Sequence, residues 1–154
     1  MIISSEKVDI EIFNPPELIQ QAKDEINEAI DKFFKIFKLK NIKIDISFCS
    51  KNDIQRLNKK FRQKNQPTNV LSFPDKDVLN ISKECRGEII VCIDVLKEEA
   101  VANNKNEVHH FLHLIIHSML HLLGYKHDIE NDAILMESKE IEFLSKIGIS
   151  NPYK

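Results

Sequence analysis

Apolar and polar residues alternate through Val8, Ile10 and Ile12, and again through Ile42, Ile44, Ile46 and Phe48. Period two is the pattern of strands with one buried face. Pro15 and Pro16 stop the first run, because proline cannot donate to a ladder. Between the two runs, Ile19, Ala22, Ile26, Ala29, Ile30, Phe33 and Phe37 recur at three and four while Lys23, Asp24, Glu28 and Lys32 take the other side. That spacing predicts one long amphipathic helix. Ser50 with Asp53 resembles a capping box and opens a second helix over Lys51 to Arg62. The polar stretch Gln63 to Thr68 reads as a loop. Val70 to Phe73, closed by Pro74, reads as a third strand. Asp75 to Arg86 has no clear period and is expected to loop outward before Glu88 to Ile93 supplies a fourth, nearly all-apolar strand. Helical patterns then cover about Asp94 to Ala102, Glu107 to Leu123 and Asn131 to Ile147. The predicted fold is α+β, a small mixed four-stranded sheet flanked by about five helices, with a buried central helix that carries histidines.

Composition narrows the picture. The 154 residues suit one compact unit spanning 1–154. The 22 Lys and Arg against 24 Asp and Glu leave no overall basic charge, so any attraction for nucleic acid must come from a local patch. Three cysteines, Cys49, Cys85 and Cys92, are an odd number without C-x-x-C spacing. They argue against a disulfide scaffold and fit a reducing cytoplasm. The apolar start meets charge at Glu6, too early for a signal peptide. Val108 to Tyr125 has no Asp, Glu, Lys or Arg, but it contains five histidines and reads as a buried helix rather than a membrane span.

Those histidines hold the candidate chemistry. His113, His117 and His121 stand four apart, so successive members lie about 40° apart on one helix face and neighbouring imidazoles can share a metal ion. His113 lies too far along the axis to share one ion with both His121 and His127. A role beside the site or facing substrate remains for it, and His109 and His110 read as ordinary core or surface residues. His127, six positions past His121, would rotate away on a continuing helix. It can join only if the helix ends, and Gly124 supplies a residue that takes a left-handed turn without steric cost. Three imidazoles with a fourth position left to water make a catalytic zinc arrangement, since structural sites close with four protein ligands. The pattern from His117 to His127 overlays the metzincin protease motif except at Ser118, where metzincins carry the glutamate base. A hydroxyl cannot replace that base at neutral pH. A zinc-dependent hydrolase or peptidase without the usual glutamate therefore stands as an alternative.

Three blocks together resemble the YbeY endoribonuclease family. His117-Ser-Met-Leu-His121-Leu-Leu-Gly124-Tyr-Lys-His127 is similar to its H-G-x-L-H-L-x-G-Y-D-H signature. Leu57-Asn58-Lys-Lys-Phe61-Arg62 with Pro67-Thr68-Asn69-Val70-Leu71-Ser72-Phe73-Pro74 is similar to L-N-x-x-[YF]-R and P-T-[DN]-V-L-S-F-P, and Gly87-Glu88-Ile89 is a weaker third match. The resemblance implies a zinc-dependent, single-strand-specific endoribonuclease. Such an enzyme acts in ribosomal RNA processing, including maturation of the 16S 3′ end, and in ribosome quality control. It implies one zinc on His117, His121 and His127 plus water, with Arg62 binding the scissile phosphate beside the zinc-bound water. The implied partners are single-stranded or ribosomal RNA and the ribosome or its proteins, in the cytoplasm and away from membrane. Ser118, Lys126 and Glu88 depart from the family's glycine and two aspartates, which leaves the ligands intact but changes the charge around them.

Lys51, Arg56, Lys59, Lys60, Arg62 and Lys64 face only Asp53 in their stretch. If that helix lines the metal cleft, it supplies the phosphate attraction that net charge conceals. With no Trp, and Tyr125 the only tyrosine expected near the site, strong base readout is not expected. A non-catalytic, zinc-stabilised ribosome-binding module is the third reading.

Overall fold

The computed structural model describes residues 1–5, 8–38, 42–74 and 87–154. The loop expected over Asp75 to Arg86, with Cys85, lies outside the described residues. The strands are β1 (Ile2–Ser5), β2 (Val8–Ile12), β3 (Ile42–Phe48), β4 (Val70–Pro74) and β5 (Gly87–Val91). They form one mixed sheet in the order β1-β2-β3-β5-β4, with the two outer pairings antiparallel and β2-β3 and β3-β5 parallel. The helices are α1 (Glu17–Gln21), α2 (Lys23–Phe37), α3 (Lys51–Arg62), α4 (Ile93–Ala102), α5 (Glu107–Leu122) and α6 (Glu130–Lys146).

The α+β class holds, with two corrections among the described residues: the sheet has five strands rather than four, and there are six helices rather than about five. The missed strand, β1, is four residues long with Ile3 buried and Ile2 exposed, too short to display a period. The extra helix arises because Ala22, at φ −96° and ψ 16°, interrupts what looked like one helix. Ile19 and Ile26 are both fully buried on either side of that break, so the apolar period runs through it undisturbed.

Strand alternation sorts the core into two layers. Ile10, Ile12, Ile44, Ile46, Ile89 and Val91 join the side chains of α2, α5 and α6 in the larger cluster. Ile90 and Cys92 turn the other way and meet Leu71, Phe73 and Ile54 of α3. Every residue of β5 is buried, Glu88 included, which is why Ile89 to Val91 run apolar without alternation. Each such Ile or Phe, fully withdrawn from water, contributes about 1.5–3 kcal/mol before entropy is counted.

Helix α5 packs on β4, β5, α2, α4 and α6, with nine of its residues buried. His113, His117 and His121 are only half-buried, so the histidine stripe is the side of the helix that its neighbours leave open. Its N-terminus is capped by Asn106, whose side chain accepts from the His109 N–H at 3.1 Å. Its last turn presses on the start of β5: a Cβ built on Gly87 would lie 2.8 Å from Leu122 Cδ1, so glycine there is what allows the approach.

Candidate metal centre

The end of α5 sets the geometry. Gly124 takes φ +99°; its N–H donates to the His121 carbonyl at 2.9 Å and the Tyr125 N–H to the Leu120 carbonyl at 3.0 Å. This pair of bonds is a Schellman motif. No atom would obstruct a side chain at Gly124, so glycine is required there by backbone conformation rather than by space. The reversal returns His127 to the helix it has just left. The His127 ring centroid lies 4.6 Å from that of His121 and 5.4 Å from that of His117.

The ligand atoms of His117, His121 and His127 all lie within 4.8 Å of one another, and the Nε2 atoms of His117 and His121 are 3.1 Å apart. The outer nitrogens of the two helical rings are engaged. His117 Nδ1 meets Glu140 Oε1 at 2.5 Å, and His121 Nδ1 meets the Tyr125 carbonyl at 3.0 Å. Both partners are acceptors, so each ring carries its proton on Nδ1 and turns an Nε2 lone pair inward. Burial, together with the nearby His117 and His127 rings, lowers the pKa of His121 and favours the neutral form that binds metal. The donor set fits a three-imidazole metal site.

Glu140 reaches this centre from α6 with no exposure of its own. Burial alone would raise its pKa, but the nearby His113 ring and the hydrogen bonds with His117 and Tyr153 hold the carboxyl at about 2. The Tyr153 hydroxyl donates to its other oxygen at 2.5 Å. Neither Glu140 nor Tyr153 was expected at the site, and Tyr125 is therefore not the only tyrosine near it. The signal available in the sequence was weak: one carboxylate on a helix with many, and a tyrosine 26 positions past His127.

The rings open into a cleft of about 950 Å³ whose opposite wall is the end of α3 and strand β4. Arg62 stands there, its Nη2 donating to the Ser72 carbonyl at 2.8 Å and its guanidinium 5.1 Å from the Phe73 ring centre. Asn58 braces the connecting loop by donating to the Gln66 carbonyl at 2.9 Å. Of the basic stretch, only Arg62 and Lys64 line the cleft. Lys51 pairs with Glu98 and Arg56 with Asp53, so the idea that the whole helix faces the metal reduces to its last turn and the residue after Gln63. Lys126 adds a cation at the rim. Ser118 is buried inside an unbroken α5, and Glu88 is buried in the sheet opposite Asp45 and Phe73. These two departures leave the ligand helix intact.

The family model for Endoribonuclease YbeY matches residues 7–148. The chain belongs to the YbeY endoribonuclease family. It is 44% identical over 113 residues to Endoribonuclease YbeY of Colwellia psychrerythraea, covering 73% of each chain. It is 35% identical over 130 residues to the Endoribonuclease YbeY of Vesicomyosocius okutanii, covering 84% of this chain and 90% of that one. Its fold is similar to the solution structure of a Thermotoga maritima protein, with a TM-score of 0.59, 26% identity, and coverage of 90% of this chain and 88% of the other. Among the described residues no helix is long and apolar enough to cross a membrane. The matched span of the YbeY model takes in the cleft arginine, the three histidines and Glu140, but not Tyr153.

Proposed function

We propose that this chain is a zinc-dependent, single-strand-specific endoribonuclease of ribosomal RNA processing, acting in the cytoplasm on the 16S 3′ end and in ribosome quality control. One observation carries the reading: three imidazole ligand atoms within 4.8 Å of one another share a cleft with Arg62. His117, His121 and His127 would hold the ion, and an all-imidazole set with one open position suits catalytic zinc. Zinc, when bound, supplies Lewis acidity towards a phosphoryl oxygen and lowers the pKa of water towards ~7. Arg62 binds the scissile phosphate, because its planar fork retains donors beyond the one given to Ser72. Lys64 and Lys126 extend the cationic wall along a backbone. A ribosomal partner would present the single strand to this wall.

The peptidase alternative needs a carboxylate base facing the reacting water. Glu140 does not offer one, since both its oxygens are engaged, by His117 and Tyr153. The test compares metal content with cleavage of single-stranded RNA, duplex RNA and casein. We expect zinc in the wild type, cleavage of single strands only, and a loss of about 10²–10³-fold in kcat/KM for Arg62→Ala with zinc retained. Arg62→Lys should recover little, because a point charge does not reproduce the fork. Casein cleavage, or an Arg62→Ala variant with full RNase activity, would overturn the reading. Product ends sharpen it: a 2′,3′-cyclic phosphate means the RNA's own 2′-hydroxyl attacks, whereas cleavage of a deoxy substrate means water does.

A further inference from the structure

Glu140 is a buried carboxylate with two imidazoles in reach. Its Oε1 lies 2.5 Å from His117 Nδ1 and 3.6 Å from His113 Nε2, and only the first distance is a hydrogen bond. A carboxylate rotates easily about its terminal torsion, so the choice between those rings must be fixed from outside. The other oxygen, Oε2, accepts from the Tyr153 hydroxyl at 2.5 Å. Tyr153 is itself held. Lys105 Nζ donates to the Pro152 carbonyl at 2.9 Å, and the Tyr153 backbone N–H donates to Asn151 Oδ1 at 2.8 Å. The tyrosine ring also stands edge-on to His113, with centroids 5.6 Å apart and planes at 87°, so it packs against the competing imidazole.

We infer that Tyr153 is a positioning residue for the metal site: by fixing Oε2 of Glu140 it commits Oε1 to His117 and so fixes the tautomer and aim of that ligand. The inference rests on the reading of His117, His121 and His127 as the ligand set. A histidine whose Nδ1–H is held presents Nε2 to a metal, and loss of such outer partners typically weakens binding by about 10–100-fold. Without the hydroxyl, a buried oxygen loses its donor and the carboxylate turns to find another. His113 is the neighbouring ring within reach.

Tyr153→Phe removes one oxygen and keeps the ring. Zinc affinity is measured by competition with a chromophoric chelator for the wild type, Y153F, E140Q and the double variant, alongside the thermal midpoint of each metal-free protein. We expect about tenfold weaker binding in Y153F, a larger loss in E140Q, and a double variant no weaker than E140Q alone, because Tyr153 acts through Glu140. Wild-type zinc affinity in Y153F, with or without a lowered thermal midpoint, overturns the inference. So does a tyrosine effect that persists undiminished in the E140Q background. Affinity is read without RNA: if Y153F loses zinc while the wild type cleaves no RNA, the nuclease reading fails and the positioning role stands.

Discussion

The two halves of the candidate metal centre are built differently. His117 and His121 stand four apart on α5, a helix packed on most of its circumference, and each has its outer nitrogen held by an acceptor. His127 is exposed on the chain after Gly124 and comes within reach because of one left-handed residue. The helical pair is therefore organised before metal arrives, by packing that has its own reason to exist. The loop ligand has only a backbone reversal to bring it back. Preorganised ligands cost little ordering entropy on binding, whereas a ligand on an exposed loop must be ordered when the metal binds.

The largest expected effect breaks the helical half. His121→Ala removes a held ligand and should weaken zinc affinity by on the order of a thousandfold or more, to no metal on purification. His127→Ala should be milder, because two oriented imidazoles and water still form a weak site. Titration of both variants with zinc under chelator competition checks the order, and equal losses would refute the distinction between the halves. Gly124→Ala acts on the loop half and, through the Tyr125 carbonyl that holds His121 Nδ1, on the end of the helical half. Its φ of +99° is unfavourable for any residue with a Cβ, so the variant should lose about 1–2 kcal/mol of stability or let the bend relax. Zinc affinity should fall by roughly tenfold, with the circular dichroism of α5 preserved. An unchanged affinity would mean that His127 finds the site without the Schellman turn.

The same contrast explains what could be read from the residues alone. The histidine spacing and Gly124 together pointed to the three rings whose ligand atoms lie within 4.8 Å of one another, because both the helix period and the left-handed turn are local rules written within eleven positions. The strands β2, β3, β4 and β5 were legible for the same reason, their alternation, closing proline or apolar run being local. Strand β1 was not, since four residues with one buried isoleucine carry no period. The break at Ala22 was not, since the apolar stripe passes across it. Glu140 and Tyr153 were invisible for a different reason. Their part in the site depends on α6 packing against α5 and on the segment after α6 turning back to Lys105, and such tertiary contacts leave no spacing in the sequence. Which turn of the basic helix faces the cleft was not legible, because charge counts do not say it.

The smallest effect lies in the acid stability of the metal-free protein, and it separates the halves once more. Glu140 is held at about 2, below the 4.5 of a free carboxyl: burial opposes this, but the nearby His113 ring and the His117 and Tyr153 hydrogen bonds outweigh it. A carboxylate depressed in the folded state contributes stability that is complete above about 4.5 and is lost as pH falls towards about 2. His121 has a folded pKa lowered from 6.5 by burial and by the His117 and His127 rings. The unfolded chain therefore takes that proton first, and stability falls as pH drops below 6.5. Both groups act in the same direction, and both belong to the helical half. The thermal midpoint should fall by several degrees between about pH 7 and pH 3. In Glu140→Gln the baseline is lower but the slope below 4.5 is flatter, while His127→Ala keeps that slope. Parallel midpoint curves for Glu140→Gln and the wild type below 4.5 would mean that the buried carboxylate is not what couples α6 to the ligand helix.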